Sequence, residues 1–175
     1  MKILLHICCG PCAIFPLKEL RTHNQDVTGL FFNPNIHPYQ EYERRRQTLK
    51  DYAEKVLLDV IWAEGYPIED FLKHVALRPE DRCAYCLTSR MKAAAEMAKE
   101  EKFDAFTSTL LYSRFQKHDV IREAGENLSR KTGIDFFYED FRSGWNEGVR
   151  ISKEMNMYRQ PYCGCIYSEK DRYCR

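Results

Sequence analysis

The sequence begins MKILLHICCGPC, residues 1–12, in which a short apolar run leads into the loop Cys8-Cys9-Gly10-Pro11-Cys12. The run from Lys2 to Ile7 has the length and composition of a buried strand. Pro11 suits the first turn of a helix, and Gly10 gives the preceding turn conformational freedom. We therefore predict a strand, a tight loop and a helix, the opening unit of a parallel α/β sheet, with three thiols where the strand ends.

The same alternation continues along the chain, because short β-branched or aromatic runs are separated by longer stretches with helical periodicity. The predicted strands, each apolar enough for burial on both faces, are Lys2 to Ile7, Val27 to Phe32, Val56 to Trp62, Phe103 to Thr107 and Ile134 to Tyr138. The predicted helices are Cys12 to Arg21, Tyr39 to Lys55, Ile68 to Ala76, Ala84 to Lys102, Lys117 to Thr132 and Asn146 to Met157. This pattern predicts one Rossmann-like (HUP, nucleotide-hydrolase-like) domain over residues 1–175, with a five-stranded, mainly parallel sheet flanked by helices.

Composition limits the kind of protein this is. The chain has 175 residues, 44% of them hydrophobic, which is enough for an apolar core that does not depend on metal. Its first residues lack the features of a secretion signal, and no stretch has the length and apolarity of a membrane helix. We therefore expect a cytoplasmic protein with reduced thiols and no membrane partner. With 27 basic and 26 acidic residues, only a local patch could bind nucleic acid.

Seven of the eight cysteines form three groups, at Cys8-Cys9-x-x-Cys12, Cys83-x-x-Cys86 and Cys163-x-Cys165, with Cys174 outside them and of undecided role. In a reducing compartment such groups are typical of metal ligands. Seven thiolates exceed the four that one tetrahedral ion takes, which favours an iron-sulfur cluster. Two alternatives stay open: a zinc site using four of the thiols, and a thioredoxin-like redox pair at Cys83 and Cys86.

Two segments are candidates for RNA binding and catalysis. Residues 33–46 combine aromatic side chains with consecutive arginines, and Tyr39, Arg44, Arg45 and Arg46 could stack a base or clamp phosphate. Residues 110–119 follow the fourth strand and so open on the crevice where the cysteines lie. There we expect Tyr112, Ser113, Arg114 and Lys117 to contact substrate, and His118 or Asp119 to donate a proton.

The ordered motifs together resemble the QueH-type epoxyqueuosine reductase family. These motifs are the Cys-Cys-Gly-Pro-Cys loop, Asn33-Pro-Asn-Ile-His-Pro38, Arg82-Cys83-x-x-Cys86 and Tyr162-Cys163-Gly164-Cys165-x-Tyr167-Ser168. The resemblance implies reduction of epoxyqueuosine to queuosine at the wobble position of a tRNA anticodon, the last step of queuosine synthesis, without cobalamin. It implies a tRNA partner rather than DNA, and a low-potential electron donor that the sequence does not identify.

Epoxide deoxygenation needs two electrons and acid or Lewis-acid assistance at the oxygen. A [4Fe-4S] cluster passes one electron at a time and normally takes four ligands, which leaves about three thiols. We expect these, together with Asp81, to hold a second, mononuclear iron that acts as a Lewis acid. The sequence does not tell which cysteine serves which centre.

Two other functions remain open at this point. A zinc-binding RNA-binding module would be colourless, whereas an iron-sulfur protein is brown and bleaches with dithionite. An iron-sulfur tRNA-thiolating enzyme of the same broad fold would need a phosphate-binding loop after the first strand. That position holds cysteines and one glycine, which argues against nucleotide hydrolysis.

Overall fold

The computed structural model describes residues 1–174 and contains a five-stranded, wholly parallel sheet with helices on both faces. The strands are β1 (Lys2–His6), β2 (Asp26–Phe31), β3 (Val60–Trp62), β4 (Ala105–Ser108) and β5 (Asp135–Phe136). The helices are α1 (Gly10–Thr22), α2 (Tyr39–Val56), α3 (Ile68–Val75), α4 (Arg82–Glu100), α5 (His118–Thr132), α6 (Trp145–Glu154) and α7 (Ile166–Tyr173). Three 3-10 turns occupy Pro79–Asp81, Thr109–Tyr112 and Phe141–Gly144.

The strand order is β3-β2-β1-β4-β5, which confirms the predicted α/β architecture. β1 pairs with β2 through Ile3 to Val27 and with β4 through Ile3 to Ala105. The chain runs outward from β1 in one direction, then crosses back to β4 on its other side. Strand order therefore reverses between β1 and β4, and in sheets of this type ligands bind beyond the carboxyl ends of the strands at that point.

The two edge strands differ from the prediction. β3 begins at Val60, because Val56 closes α2 and Leu57 ends that helix in the left-handed conformation at φ 51°. The residues of β3 are only half-buried, and β5 is two residues long with Asp135 exposed. Burial on both faces is therefore wrong for the edge strands, since each has a neighbour on one side only. Central β1 has only Lys2 exposed.

Helix starts also differ from the prediction, with a consequence for the thiols. α1 begins at Gly10 and α4 at Arg82, two residues earlier than expected in each case. Cys9 is consequently the N-cap of α1, and Cys83 and Cys86 lie in the first turns of α4. Unpaired amides at a helix start favour negative charge, so both groups lie beside the positive end of a helix.

No helix among the described residues is long and apolar enough to cross a membrane.

Candidate metal centre

Side-chain hydrogen bonds connect the carboxyl ends of β1, β2 and β4 next to the first thiol group, Cys8, Cys9 and Cys12. The buried His6 ring bridges them, with Nδ1 2.9 Å from Ser108 Oγ and Nε2 3.0 Å from the carbonyl oxygen of Phe32. Two residues beyond the end of β1, the backbone N–H of Cys8 donates to Thr109 Oγ1 at 3.2 Å. Cys8 is thereby fixed at the point where strand order reverses.

The sulfur atoms of Cys8, Cys9 and Cys12 all lie within 4.8 Å of one another, and those of Cys8 and Cys9 are 3.9 Å apart. Cys9 has extended backbone as the N-cap, and Cys12 follows one turn into the helix. A side chain at Gly10 would not fit, because a Cβ there would lie 2.8 Å from Met157 Cε and 3.0 Å from the carbonyl oxygen of Thr48. The loop therefore places the three sulfur atoms within reach of a single metal ion or cluster.

These three thiols suit a bound cation. Hydrogen bonds from the thiols of Cys12 and Cys9 hold the pKa of Cys8 well below its usual value. The pKa of Cys12 is raised because its thiol is committed to Cys8 and Cys9, and burial raises the pKa of Cys9. One thiolate therefore suppresses ionisation of its two neighbours, and a metal ion or cluster would relieve that repulsion and bind all three.

A second group of thiols forms at the start of α4. Cys86 and Cys165 are buried together in a small apolar cluster with Phe71 and Val75, whereas Cys83 and Cys163 are exposed. Burial, with smaller contributions from charge on Cys163, Cys165 and Cys83, raises the pKa of Cys86 to about 12, against the opposing charge of Arg90. Among the described residues, no three of these four sulfur atoms lie within 4.8 Å of one another, so the structure does not bring them together as it does the first group.

The segment that carries Cys163 and Cys165 is held by α2. The Arg45 guanidinium donates to the carbonyl oxygens of Cys163 at 2.8 Å and Tyr162 at 3.0 Å, while Arg45 Nε bonds Glu41 at 2.7 Å. Between the two cysteines, Gly164 adopts φ 152°, which side-chain-bearing residues rarely do. The prediction that Arg45 binds tRNA phosphate is therefore wrong, because its side chain is 1% exposed and fully engaged.

Arg90, on the third turn of α4, links the second thiol group to the first. Its guanidinium donates to the Cys86 sulfur at 3.0 Å and to the Cys86 carbonyl oxygen at 2.9 Å. Its charge also lowers the pKa of Cys8. Arg90 is 3% exposed, and within residues 1–174 no carboxylate lies within ion-pair distance of it. It is a buried cation whose side-chain hydrogen-bond partner among the described residues is the Cys86 thiol.

Sequence reasoning missed Arg90, although a signal was present. It lies four residues after Cys86, so the two side chains share one face of the helix. That face is otherwise apolar, with Leu87, Met91 and Ala94 buried. An arginine on an apolar stripe, one turn after a cysteine, indicates a buried charge with a specific partner.

A cavity of about 360 Å³ opens between the two thiol groups. Cys8 and Cys12 of the first group and Cys163 of the second group line it. Two glutamine amides reach these sulfurs: Gln160 Nε2 donates to Cys12 at 3.7 Å and Gln116 Nε2 to Cys163 at 3.3 Å. The remaining lining residues are Pro11, Arg90, Thr109, Leu110, Tyr112, Ser113, Phe115, Trp145, Gly148, Val149, Ser152, Arg159, Pro161 and Tyr162.

The charged side chains that line the cavity, among the described residues, are all basic. Among the described residues that line it are two arginines, Arg90 and Arg159, and neither aspartate nor glutamate. Tyr112 forms part of the wall, with its hydroxyl donating to the carbonyl oxygen of Trp145 at 3.1 Å. A Cβ at Gly148 would lie 2.2 Å from that hydroxyl, so Gly148 leaves room for the ring. The cavity suits a planar, polar ligand attached to negatively charged groups.

The predicted substrate residues divide between this cavity and its surroundings. Tyr112 and Ser113 line it, and Arg114 lies beside it with its guanidinium 5.9 Å from the Trp145 ring centroid. Lys117 is exposed as the residue before α5. Gln116 belongs to the predicted segment 110–119, whereas nothing in the sequence indicated the lining residues Trp145, Arg159 and Gln160.

The first turns of α2 carry the other predicted RNA contacts. Tyr39, 55% exposed, borders a separate groove with Arg46, whose guanidinium lies 5.7 Å from the Trp62 ring centroid. Arg44 is exposed, and its guanidinium lies 5.8 Å from the ring centroid of Tyr158. All three remain available to a ligand, unlike Arg45.

The predicted proton donors and the extra metal ligand lie outside the cavity lining. His118 is buried at the start of α5, and neither ring nitrogen has a hydrogen-bond partner among residues 1–174. Asp119 is exposed beside it. Asp81 is exposed as the N-cap of α4, two residues before Cys83. Their catalytic and metal-binding roles remain predictions.

The chain is similar to known proteins over nearly its whole length. A family profile described as Epoxyqueuosine reductase QueH matches residues 3–171. A protein of that name from Dehalococcoides mccartyi is 32% identical over 172 residues, which cover 98% of this chain and 94% of the relative. Another from Thermotoga maritima is 34% identical over 180 residues, covering 97% and 91%. The matched residues 3–171 span all three cysteine groups of this chain.

Among solved structures, the predicted subunit of a tRNA methyltransferase from Methanocaldococcus jannaschii is similar, with a TM-score of 0.58. The match covers 88% of this chain and 75% of that one at 12% sequence identity. At that identity the similarity describes the shared fold alone.

Proposed function

This chain belongs to the epoxyqueuosine reductase QueH family, and on that premise we propose that it converts epoxyqueuosine to queuosine at the wobble position of a tRNA anticodon. The reaction consumes two electrons and two protons, breaks both C–O bonds of the epoxide, and yields an alkene and water. The observation that carries the proposal is the single cavity bordered by thiols from both groups. An oxidoreductase needs its electron source beside its substrate, and this arrangement provides that contact.

The thiol chemistry supports a metal-containing cofactor. Three sulfurs lie within 4.8 Å of one another, and four more cysteines lie on α4 and within residues 163–165. We assign these seven cysteines to a [4Fe-4S] cluster and a second, mononuclear iron, with Asp81 as a further ligand and no cobalamin. Bound there, the two centres would supply single electrons and a Lewis acid for the epoxide oxygen.

The chain's own residues would bind and orient the substrate. The cavity is of the size that holds one modified base, and Tyr112 and Trp145 give it aromatic walls. Exposed Arg159 would attract the phosphates of the tRNA, and buried Arg90, which also lines the cavity, would stabilise negative charge at the oxygen. The lining includes no carboxylate among the described residues, so no acidic side chain there neutralises the two arginines.

Two partners follow from the reaction. One is tRNA that already carries epoxyqueuosine, and the other is a low-potential electron donor that the chain does not itself contain. Exposed Cys83 and Cys163 lie on the solvent side of the second thiol group, where electrons would enter. We further propose that residues 1–175 act as one domain, since both thiol groups and the cavity draw on elements from β1 to α7.

The proposal is tested by anaerobic reconstitution with iron and sulfide, then incubation with epoxyqueuosine-containing tRNA and a low-potential reductant. Nucleoside mass spectrometry should find queuosine. Cys9→Ser should lose bound iron and turnover together, whereas Cys174→Ser, outside both groups, should keep both. Absence of queuosine from the wild-type reaction would reject the function, and full iron content in Cys9→Ser would reject the ligand assignment.

A further inference from the structure

The mouth of the cavity carries an aromatic side chain that the reaction itself does not require. Phe115 borders the cavity, yet 85% of its surface is exposed. A single exposed apolar residue is ordinary on a protein surface. Phe115 differs in its position, because it lies at the entrance of the cavity proposed to receive a base.

Phe115 is held in place rather than left loose. Ser113 Oγ accepts a hydrogen bond from the Phe115 backbone N–H at 3.2 Å, and the Ser113 carbonyl oxygen accepts one from the Gln116 N–H at 3.4 Å. The Phe115 ring packs against Trp145 at 5.6 Å between centroids, with the two planes at 82°. The ring is therefore preorganised while most of it remains open to a ligand, which lowers the entropy cost of stacking.

Basic side chains lie near this ring. Arg114 and Lys117 are exposed within two residues of Phe115, and exposed Arg159 lines the same cavity. Arg114 also lies over the Trp145 ring. A ring with basic side chains around it is the combination that binds single-stranded nucleic acid, since bases stack on the ring while phosphates meet the charges.

The substrate would expose a base that needs such a surface. The reacting epoxide lies on the wobble nucleotide and the thiols line an inner cavity, so that base must leave the anticodon stack to enter. Its departure leaves the neighbouring base without a stacking partner. An aromatic side chain at the entrance can replace the lost contact.

We infer that Phe115 is a stacking platform for the unpaired base next to the wobble nucleotide, and that it helps hold the anticodon loop open. This rests on the proposed function, since the ligand is the anticodon loop. Stacking of this kind is insensitive to base identity, because every base presents a flat π surface. Phe115 would therefore contribute affinity for the loop without choosing among tRNAs.

Binding can be measured separately from turnover. The probe is an anticodon stem-loop RNA with 2-aminopurine immediately 5′ or 3′ of a wobble guanosine, titrated into the iron-reconstituted protein. Wild-type protein should quench one of the two probes. Phe115→Ala should abolish the quenching and weaken binding roughly tenfold. Phe115→Trp should restore both, and with epoxyqueuosine-containing tRNA the alanine variant should raise KM while leaving kcat nearly unchanged.

Leu57→Ala is the matched control, because Leu57 is 88% exposed but lies between α2 and β3, at the opposite edge of the sheet. Equal binding and equal quenching by Phe115→Ala and wild type would overturn the inference while leaving the reductase function intact. Wild-type protein that neither binds the stem-loop nor forms queuosine would instead reject the proposed function, and the inference with it.

Discussion

At the scale of single residues, the site is governed by charge rather than by apolar packing. Arg90 is the clearest case, because a guanidinium 3% exposed, with no carboxylate near it among the described residues, is costly to bury. Its guanidinium donates a hydrogen bond to the Cys86 sulfur, and its charge lowers the pKa of Cys8. The charge of Arg90 is therefore compensated only when thiolates form. Bound metal would hold those thiolates in their ionised state.

Arg90→Met should therefore affect the two forms of the protein in opposite ways. Without iron the variant should unfold at the same or a higher temperature, since replacing an unpaired buried charge by an apolar side chain is often favourable. With iron it should retain less metal and lose about 10- to 100-fold in activity. Calorimetry, iron analysis and turnover measure these effects, with Lys92→Met on the exposed face of α4 as the control. Reduced stability of the metal-free variant with full iron content would contradict this account.

His118 gives a pH dependence. Burial lowers the pKa of His118 below its ordinary value of 6.5, so near that pH the unfolded chain binds a proton that the folded chain does not. The free energy of unfolding should therefore be highest above pH 6.5, and it should decrease as pH falls toward the folded-state pKa of His118. Urea unfolding of metal-free protein at pH 7.5 and 5.5 should give a smaller difference in His118→Leu than in wild type.

The same variant tests the catalytic role predicted for His118. Because His118 does not line the cavity, we expect His118→Leu to retain turnover at pH 7.5, as should His74→Leu at an exposed position. Loss of turnover with unchanged folding would instead identify His118 as the proton donor.

At the scale of elements, α2 positions the cysteines of a segment more than a hundred residues away in sequence. Arg45, on the second turn of α2, binds the carbonyl oxygens of Tyr162 and Cys163, and His37, in the loop before that helix, donates its N–H to Gly164 at 2.8 Å. The second thiol group thus depends on a helix that contributes no thiol to it.

Arg45→Met should release this segment. The Tyr162 and Cys163 carbonyl oxygens and the buried Glu41 would lose their partner, a loss of about 3 kcal/mol or more for a buried charge pair. We expect a clear drop in melting temperature. We also expect faster alkylation of Cys165, which mass spectrometry can measure. The adjacent Arg44→Met, at an exposed position, should leave both unchanged and is the matched control. Identical behaviour of the two variants would refute the role given to Arg45.

At the scale of the whole molecule, the main core and the second thiol group are separate. The sheet and its flanking helices share one large apolar cluster, whereas Cys86 and Cys165 belong to a small cluster with Phe71 and Val75. The large cluster includes Cys9 and Cys12 but is formed mainly by aliphatic and aromatic side chains. Folding of the sheet should therefore not depend on metal.

Chelation of iron should lower the melting temperature without unfolding the chain, because metal binds only the folded state. Hydrogen exchange should increase mainly within residues 159–173, while β1 and β4 remain protected. Circular dichroism and exchange mass spectrometry of the two forms provide the test. Global unfolding on chelation would show that metal is required for the fold itself.

The sequence by itself determined the parallel α/β fold, the loop of three thiols after β1 and the two further groups of clustered cysteines. These depend on local patterns, namely apolar periodicity, glycine and proline positions, and cysteine spacing. Only the tertiary structure decided that Arg45 holds the second cysteine segment, that Arg90 joins the thiol groups, and that Phe115 stands at the cavity mouth. Those roles depend on which residues far apart in sequence become neighbours, and burial then converts an apparently solvated arginine into a structural cation.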